Sequence, residues 1–162
     1  MMQEILFIRH GQSEANVGVS DHPDCDLTAL GLEQAREVGR LLAKRDLSGF
    51  VARVSPYCRA RRTAAAIAEV TGLRFSVEPL IREWGKECTI EGALYPEETR
   101  PQFAERMRKL NEQIRGGKYI LVSHAAPIAA LMLVAAGRPI PHEGEFWTHI
   151  GNCCLLPLQQ PK

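Results

Sequence analysis

Short apolar runs and helically spaced apolar positions alternate along this chain. Runs rich in β-branched and aromatic residues predict strands over residues 3–8, 50–54, 75–77, 119–122 and 153–158. Apolar residues three or four positions apart predict helices over residues 28–46, 59–70, 100–114 and 126–136. Neither period holds in two polar stretches, and we expect loops over residues 17–26 and 82–99.

The ends of the predicted helices carry residues that commonly start or stop a helix. Thr28 is a suitable N-cap, Pro101 falls in a first turn, and Gly72 follows the second helix. Strands alternate with helices, and no repeat or linker interrupts the order. The pattern predicts a single domain over residues 1–162. Its expected architecture is an α/β three-layer sandwich, a mostly parallel mixed sheet with helices on both faces.

Polar groups follow three of the predicted strands, where α/β sheets bind their ligands. These groups are Arg9-His10-Gly11, Ser55-Pro56 with Arg59, and Ser123-His124. A neutral imidazole is a nucleophile near pH 7, arginine binds phosphate with two donors, and glycine lets the backbone approach an anion. One such histidine alone is more often structural, and Arg59, Arg61 and Arg62 alone suit a solvated helix face. Their joint placement therefore carries the argument for phosphate chemistry.

Composition narrows the class of protein. The net charge of +1 favours neither nucleic acid nor another polyanion as a partner. The five cysteines lack paired spacing, which argues against a disulfide framework and for a reducing, cytoplasmic location. The first residues do not form a secretory signal. The longest apolar stretch, residues 125–137, is too short to span a bilayer, so no membrane partner is expected.

Other chemistries lack their motifs in this sequence. There is no nucleotide-binding glycine loop, no cysteine phosphatase loop, no Gly-x-Ser-x-Gly elbow and no zinc-binding spacing. His142 with Glu143 and Glu145 forms an acidic group in a proline-flanked loop, where we do not expect a metal. The predicted chemistry therefore needs no cofactor and no metal.

Four segments resemble, in order, those of the histidine phosphatase superfamily, also called the phosphoglycerate mutase-like family. They are RHGQSEAN at residues 9–16, DLTALGLEQA at 26–35, SPYCRARRTA at 55–64 and VSH at 122–124. Together they span nearly the whole chain. The resemblance implies phosphoryl transfer through a phosphohistidine, without a metal ion.

The resemblance also implies roles for individual residues. His10 is implied to be the nucleophile that accepts the phosphoryl group. The implied phosphate-binding groups are Arg9, Arg59, Asn16, His124, the backbone of Gly11 and the amide of Ala125. His124 is also a catalytic group, because it can carry a proton beside a bound dianion. Many family members have glycines after the second histidine, so the two alanines here leave less room.

A general acid must protonate the leaving alkoxide and later activate water. Ile81-Arg82-Glu83 resembles the family's Leu-x-Glu form, which implies Glu83 as that acid. The family's usual glycine four residues later is Glu87 in this chain, so Glu87 is an alternative. It is also conceivable that Glu83 only pairs with a surface basic residue.

The leading hypothesis is a metal-independent phosphomonoesterase acting on a phosphorylated small molecule or a phosphoprotein. The stretch between Glu83 and the Glu98/Arg106 region is short, which predicts an open, lightly lidded site. Such a site favours hydrolysis over a phosphoglycerate-type mutase reaction. Two competing hypotheses are a protein phosphohistidine phosphatase and a non-catalytic phosphate-binding domain. The sequence leaves the oligomeric state open.

Overall fold

The fold is built on a central sheet, in a computed structural model that describes residues 3–158. In chain order the strands are β1 (Glu4–Arg9), β2 (Val51–Val54), β3 (Phe75–Val77), β4 (Cys88–Ile90), β5 (Ala93–Tyr95), β6 (Lys118–Ser123) and β7 (Leu155–Pro157). Five of them form the sheet in the order β3-β2-β6-β1-β7. All neighbours run parallel except β7, which is antiparallel to β1. The predicted mixed, mostly parallel sheet is confirmed.

The helices begin and end close to the predicted positions. They are α1 (Ala29–Ala43), α2 (Cys58–Thr71), α3 (Arg100–Ile114) and α4 (Ala125–Ala135). The Thr28 side chain accepts a hydrogen bond from the Gly31 amide at the start of α1. Thr99 and Gln102 form a capping box at the start of α3. Gly72, with φ of 75°, ends α2 in the left-handed conformation that glycine adopts without strain.

The two faces of the sheet bury different halves of the core. Along β1, Leu6 and Ile8 pack with apolar residues of α1 and α2, whereas Ile5 and Phe7 pack with those of α3 and α4. This alternation follows from the two-residue period of a strand covered on both faces. The structure therefore confirms the three-layer sandwich. Helix α4 is apolar almost throughout because its first seven residues are all buried.

One predicted loop is wrong in part, because residues 82–99 contain a β-hairpin. β4 and β5 pair antiparallel around Glu91 and Gly92, whose φ values are 50° and 81°. Each strand has only three residues, too few to show a two-residue period, and Glu91 is an unusual residue at positive φ. A short 3-10 helix, Pro79–Ile81, precedes this segment and was not predicted either.

The described residues add two negative findings. Within residues 3–158 no helix is both long and apolar enough to cross a membrane. In the same range no group of three or more His, Cys, Asp or Glu side chains is arranged to hold a metal ion. Six residues of the predicted domain, 1–2 and 159–162, lie outside the described part, as does the start of the segment assessed for a secretory signal.

Candidate active site

The three strand ends singled out in the sequence meet at one edge of the sheet. β6 lies between β1 and β2, and its backbone holds both neighbours past their last paired residues. The His10 amide donates to the Ser123 carbonyl at 3.0 Å, and the Ser55 amide donates to the Val122 carbonyl at 3.0 Å. The rings of His10 and His124 consequently lie side by side, with centroids 5.1 Å apart and ring planes inclined by 60°.

His10 has the protonation state of a nucleophile. Its Nδ1 lies 2.7 Å from the Gly11 carbonyl oxygen, which can only accept, so Nδ1 carries the ring proton. Nε2 therefore keeps its lone pair, and the Arg59 Nε–H donates to it at 3.3 Å. Burial, and next the charge of Arg59, lower the pKa of His10 to about 3. The ring is neutral at physiological pH.

Two arginines flank the His10 ring. Arg59 is buried and donates to the Pro23 carbonyl at 2.8 Å, and its guanidinium lies over the Tyr57 ring. Arg9 donates through Nη1 to the Ile150 carbonyl at 2.6 Å. Within the described residues, Arg9 Nε and His124 Nδ1 are buried nitrogens without a hydrogen-bond partner. Buried nitrogens of this kind are costly unless a ligand satisfies them, and an anion would accept from their N–H groups.

His124 lies fully buried at the end of β6. Its Nε2 is 2.7 Å from the Ser55 hydroxyl, and its Nδ1 is 3.4 Å from Glu83 Oε2. Burial, and next the charge of Arg59, hold the pKa of His124 well below the usual value for histidine. The His124 ring is therefore neutral, so one of its nitrogens is a hydrogen-bond donor and the other is an acceptor.

Glu83 joins the same cluster from the segment before the hairpin. Its Oε2 is 3.4 Å from Arg59 Nη2 as well as from His124, and its Oε1 accepts from the Trp84 amide at 2.9 Å. Burial raises the pKa of Glu83, although the Arg59 charge opposes that rise. A carboxyl group with a raised pKa can hold a proton until a leaving group needs it. Glu87, the alternative acid, is exposed in the structure.

Arg106 holds the segment that carries Glu83. Its guanidinium pairs with the Glu98 carboxylate at 2.6 Å and donates to the carbonyls of Leu80 and Arg82 at 2.8 and 3.0 Å. The Ser123 hydroxyl donates to the Ile81 carbonyl at 2.6 Å. The Glu98/Arg106 pair thus acts as an anchor for the backbone next to Glu83.

The turn after β1 is fixed by backbone packing against α1 and α2. The Gly11 amide donates to Thr63 Oγ1 at 3.0 Å, and the Gln12 amide donates to Gln34 Oε1 at 2.8 Å. A Cβ on Gly11 would lie 2.3 Å from the Gly31 carbonyl oxygen. Gly11 is therefore needed for contact with α1, and its amide is engaged by Thr63. This differs from the expected role of Gly11 in approaching the phosphate.

Asn16 and Ala125, the remaining predicted site residues, lie at the margin of the cluster. Asn16 is exposed, and its Oδ1 accepts from the Ser13 amide and from Asn152 Nδ2 at 3.0 and 3.1 Å. Ala125 is the first residue of α4 and directly follows His124, so its amide lies in the electropositive first turn of a helix.

Sequence reasoning did not assign roles to Ser55, Thr63 or Asn152. Ser55 and Thr63 stand inside the quoted motif, but spacing alone does not reveal their contacts with His124 and Gly11. Asn152 donates to the His10 carbonyl at 3.1 Å from 142 residues further along the chain. No local signal marks such a long-range contact.

The expected open site is not what the structure shows around the histidines. His10 is 3% exposed and His124 is 0% exposed. The chain at residues 22–24 covers Arg59 through the Pro23 carbonyl, and the Asp24 carboxylate accepts from the Cys58 amide at 2.7 Å. A short segment after Glu83 therefore does not leave the catalytic side chains open.

Comparison with known proteins identifies the family of this chain. The sequence model of the histidine phosphatase superfamily (branch 1) matches residues 5–100. The chain belongs to that superfamily, and the expectation of a phosphatase-type enzyme is confirmed. A probable phosphoglycerate mutase of Photorhabdus laumondii is 28% identical over 183 residues, covering 95% of this chain and 83% of the relative. An uncharacterized phosphatase of Bacillus subtilis is 28% identical over 180 residues, covering 98% and 89%.

Solved structures share the fold. A mycobacterial glucosyl-3-phosphoglycerate phosphatase in complex with VO3 has a TM-score of 0.73 and 25% sequence identity. The match covers 96% of this chain and 90% of that protein. The α/β architecture predicted from the order of elements is thereby confirmed over almost the whole chain.

Proposed function

We propose that this protein hydrolyses phosphate monoesters in two steps through a phosphohistidine on His10. The observation that carries the proposal is the lone pair on His10 Nε2, held in a neutral ring beside the Arg59 guanidinium. A neutral imidazole at the centre of a cationic pocket can attack a phosphorus atom, while the cations stabilise the equatorial oxygens. No metal or cofactor is needed for either step.

In the first step, the His10 Nε2 lone pair attacks phosphorus and the ester P–O bond breaks. Protonated Glu83 gives its proton to the leaving oxygen, which departs as an alcohol. In the second step, the Glu83 carboxylate takes a proton from water, the resulting hydroxide attacks phosphorus and the N–P bond breaks. Phosphate leaves, and His10 and protonated Glu83 are restored.

The phosphoryl group is proposed to bind Arg9, Arg59 and His124, with the Ala125 amide at the edge. Support comes from Arg9 Nε and His124 Nδ1, which are buried without a hydrogen-bond partner in the described residues and which an anion would satisfy. Gly11 is proposed to act only by allowing the turn, and Asn16 by holding it. Glu83 is favoured over Glu87 as the acid because Glu83 contacts both Arg59 and His124.

The substrate is proposed to be a phosphorylated small molecule. The similar proteins include a probable phosphoglycerate mutase and a phosphatase of glucosyl-3-phosphoglycerate, which favours a small organic phosphate of that kind. A mutase reaction would use the same phosphohistidine, and those names support it equally. A buried acid beside the nucleophile argues against phosphohistidine proteins as the main substrate, because a nitrogen leaving group needs less help. The five free thiols fit a reducing, cytoplasmic location.

Trapping the phosphoenzyme tests the central step. After rapid mixing with a phosphomonoester and a denaturing quench that preserves phosphohistidine, mass spectrometry should find phosphate on His10. The His10→Ala variant should hydrolyse p-nitrophenyl phosphate at least about 1000-fold more slowly, and the parent should keep its activity in EDTA. The matched control is His22→Ala, an exposed histidine outside the cluster. Equal rates for His10→Ala and the parent would exclude the proposed mechanism, including the non-hydrolytic mutase form.

Leaving-group dependence tests Glu83. The Glu83→Gln variant should lose about 100-fold in kcat on an alkyl phosphate and much less on p-nitrophenyl phosphate, because nitrophenolate leaves without a proton. Glu87→Gln, the control, should behave like the parent on both substrates. Equal losses on the two substrates would remove Glu83 from the role of general acid.

A further inference from the structure

Within the described residues, Ser55 makes the one hydrogen bond that the structure gives to the ring of the second histidine. Its side chain is fully buried, and its Oγ lies 2.7 Å from His124 Nε2. Its backbone amide donates to the Val122 carbonyl at 3.0 Å, which places Ser55 directly after β2 and next to the end of β6. The question is which of the two groups donates.

The partners of the Ser55 hydroxyl decide the direction. Ser55 Oγ already accepts a hydrogen bond from the Tyr57 amide at 3.3 Å. Its own proton then needs an acceptor, and in the described residues the only other partner of this hydroxyl is His124 Nε2. If Nε2 carried a proton, the Ser55 hydroxyl proton would be buried without an acceptor, which costs about 1–3 kcal/mol. The serine therefore donates and Nε2 accepts.

The other side of the ring agrees with this assignment. His124 Nδ1 lies 3.4 Å from Glu83 Oε2, an oxygen that accepts. The pKa of His124 is held well below its usual value, so the ring carries a single proton. When Glu83 is a carboxylate, a proton on Nδ1 suits this 3.4 Å contact, whereas a bare Nδ1 lone pair would face an oxygen lone pair.

We propose that Ser55 is a positioning residue, whose hydroxyl fixes His124 in the tautomer with the proton on Nδ1. That tautomer presents an N–H donor on the Glu83 side of the ring, and this donor would serve the proposed phosphoryl group. The opposite tautomer would present a lone pair to a phosphoryl oxygen and repel it. This inference rests on the proposed function only for the use of the N–H, since the tautomer itself is a property of the resting protein.

Nitrogen-15 NMR of protein labelled at its histidine rings tests the assignment directly, at neutral pH and without turnover. Protonated and unprotonated ring nitrogens resonate in separate regions, and a His124→Gln variant identifies the signals of His124. We expect His124 in the parent to have a protonated Nδ1 and an unprotonated Nε2. A proton on Nε2, or on both nitrogens, would overturn the proposal, and this measurement does not depend on any Ser55 variant folding.

The Ser55→Ala variant tests whether the serine holds the tautomer. We expect the His124 Nε2 signal to move to that of an acceptor without a hydrogen bond, and kcat/KM to fall about tenfold. Ser55→Thr, which keeps the hydroxyl, should restore the parent signals. His10 is an internal control, because its tautomer depends on the Gly11 carbonyl and should not change. Ser48→Ala, at an exposed serine whose hydroxyl donates to Asp46 away from the cluster, should leave the His124 signals in place.

Two results would count against a positioning role. Identical His124 signals in Ser55→Ala and the parent would show that the serine does not hold the ring. Altered signals with a parent-like kcat/KM would show that the tautomer is irrelevant to the reaction. A failure of the His10 phosphoenzyme test, by contrast, would leave the NMR result intact, so the two proposals can be separated.

Discussion

The turn after β1 and the segment over residues 82–99 each carry a group with a proposed role in the reaction, but they are held in different ways. The turn that carries His10 is held by several independent contacts, with Ser123, Thr63, Gln34, Asn152 and the backbone of Gly31. The segment that carries Glu83 is centred on one side chain, the Arg106 guanidinium, which joins Glu98 to the carbonyls of Leu80 and Arg82, and the Ser123 hydroxyl adds one contact with the Ile81 carbonyl.

This difference suits the two tasks. The nucleophile must attack in line with a leaving group, so small displacements of His10 are expected to slow the reaction strongly. The acid only has to reach an oxygen, and the identity of that oxygen varies with substrate. A segment with a single main anchor can change its sequence without disturbing the nucleophile. Substitutions in the turn after β1 and in the segment that carries Glu83 test how far the two regions are independent. The substitutions are given from the largest expected effect to the smallest.

The largest effect is expected for Arg106, whose guanidinium contacts several groups of the segment that carries Glu83. Arg106→Met leaves the nearly buried Glu98 carboxylate without its main partner, and the free energy of unfolding should fall by about 3–5 kcal/mol. Urea unfolding measures the change. Arg108→Met is the matched control, because its pair with Glu105 on the same helix is exposed and should contribute less than about 1 kcal/mol. Similar losses in the two variants would contradict the idea of a single anchor.

The turn after β1 can be disrupted by changing the backbone packing between this turn and α1. In Gly31→Ala the new Cβ would lie 2.0 Å from the Gln12 carbonyl oxygen, so α1 and the turn must separate. We expect a loss of about 3 kcal/mol in the free energy of unfolding, with a large fall in kcat. Gly85→Ala, in the other region, places its Cβ in open space and should be close to neutral. A stable and active Gly31→Ala protein would refute the packing argument.

The pH dependence of stability should have opposite signs in the two regions. Below pH 6.5 the unfolded chain protonates His10 and His124 while the folded protein, with the pKa of His10 at about 3, does not. Their contribution to stability is therefore lost as pH falls. The raised pKa of Glu83 acts in the opposite direction, since the folded protein then binds that proton more tightly. The net loss should be on the order of 1 kcal/mol between pH 6.5 and 5.5.

Variants separate the two contributions to that pH dependence. Urea unfolding at several pH values should give a shallower loss for His10→Asn and a steeper loss for Glu83→Gln. The same direction of change in both variants would mean that one of the two pKa shifts has the wrong sign.

The smallest effect is expected where one of many contacts is removed. Asn152→Ala deletes the hydrogen bond to the His10 carbonyl, yet the other contacts of the turn remain. The free energy of unfolding should fall by about 0.5–1 kcal/mol and kcat/KM by less than about tenfold. Thr148→Ala, an exposed position in the same part of the chain, is the control. A loss as large as that of Arg106→Met would show that the turn, too, depends on one contact.

Much of the fold and the site could be predicted because it is local in sequence. His10, Arg59 and His124 each follow a strand with a clear apolar pattern, and the order of strands and helices brings parallel strand ends to one edge. Helix ends were predictable for the same reason, since Thr28 and Gly72 act on neighbouring residues. The sheet order and the antiparallel direction of β7 were not predicted, because they depend on distant pairing.

The remainder depends on how segments pack, which a linear pattern does not encode. The hairpin of β4 and β5 was missed because its strands are too short for any period. The prediction of an open site was wrong because it counted the residues after Glu83 and took no account of the chain at Pro23 that covers Arg59. Gly11 was predicted to let the backbone approach an anion, which stays a prediction, and the close contact of Gly11 with Gly31 was not foreseen because it depends on packing.

The position of β1 between β6 and β7 has a consequence for how the enzyme is made. Arg9 leaves the ribosome early, but its partner Ile150 is 141 residues further along the chain. At a synthesis rate of about 5–20 residues per second, the nucleophile waits on the order of ten seconds for the strands that complete its surroundings. Until then β1 has unpaired edges, and a competent active site cannot form on the nascent chain. The site is therefore expected to form only after Ile150 and β7 have been synthesised, in a single late step.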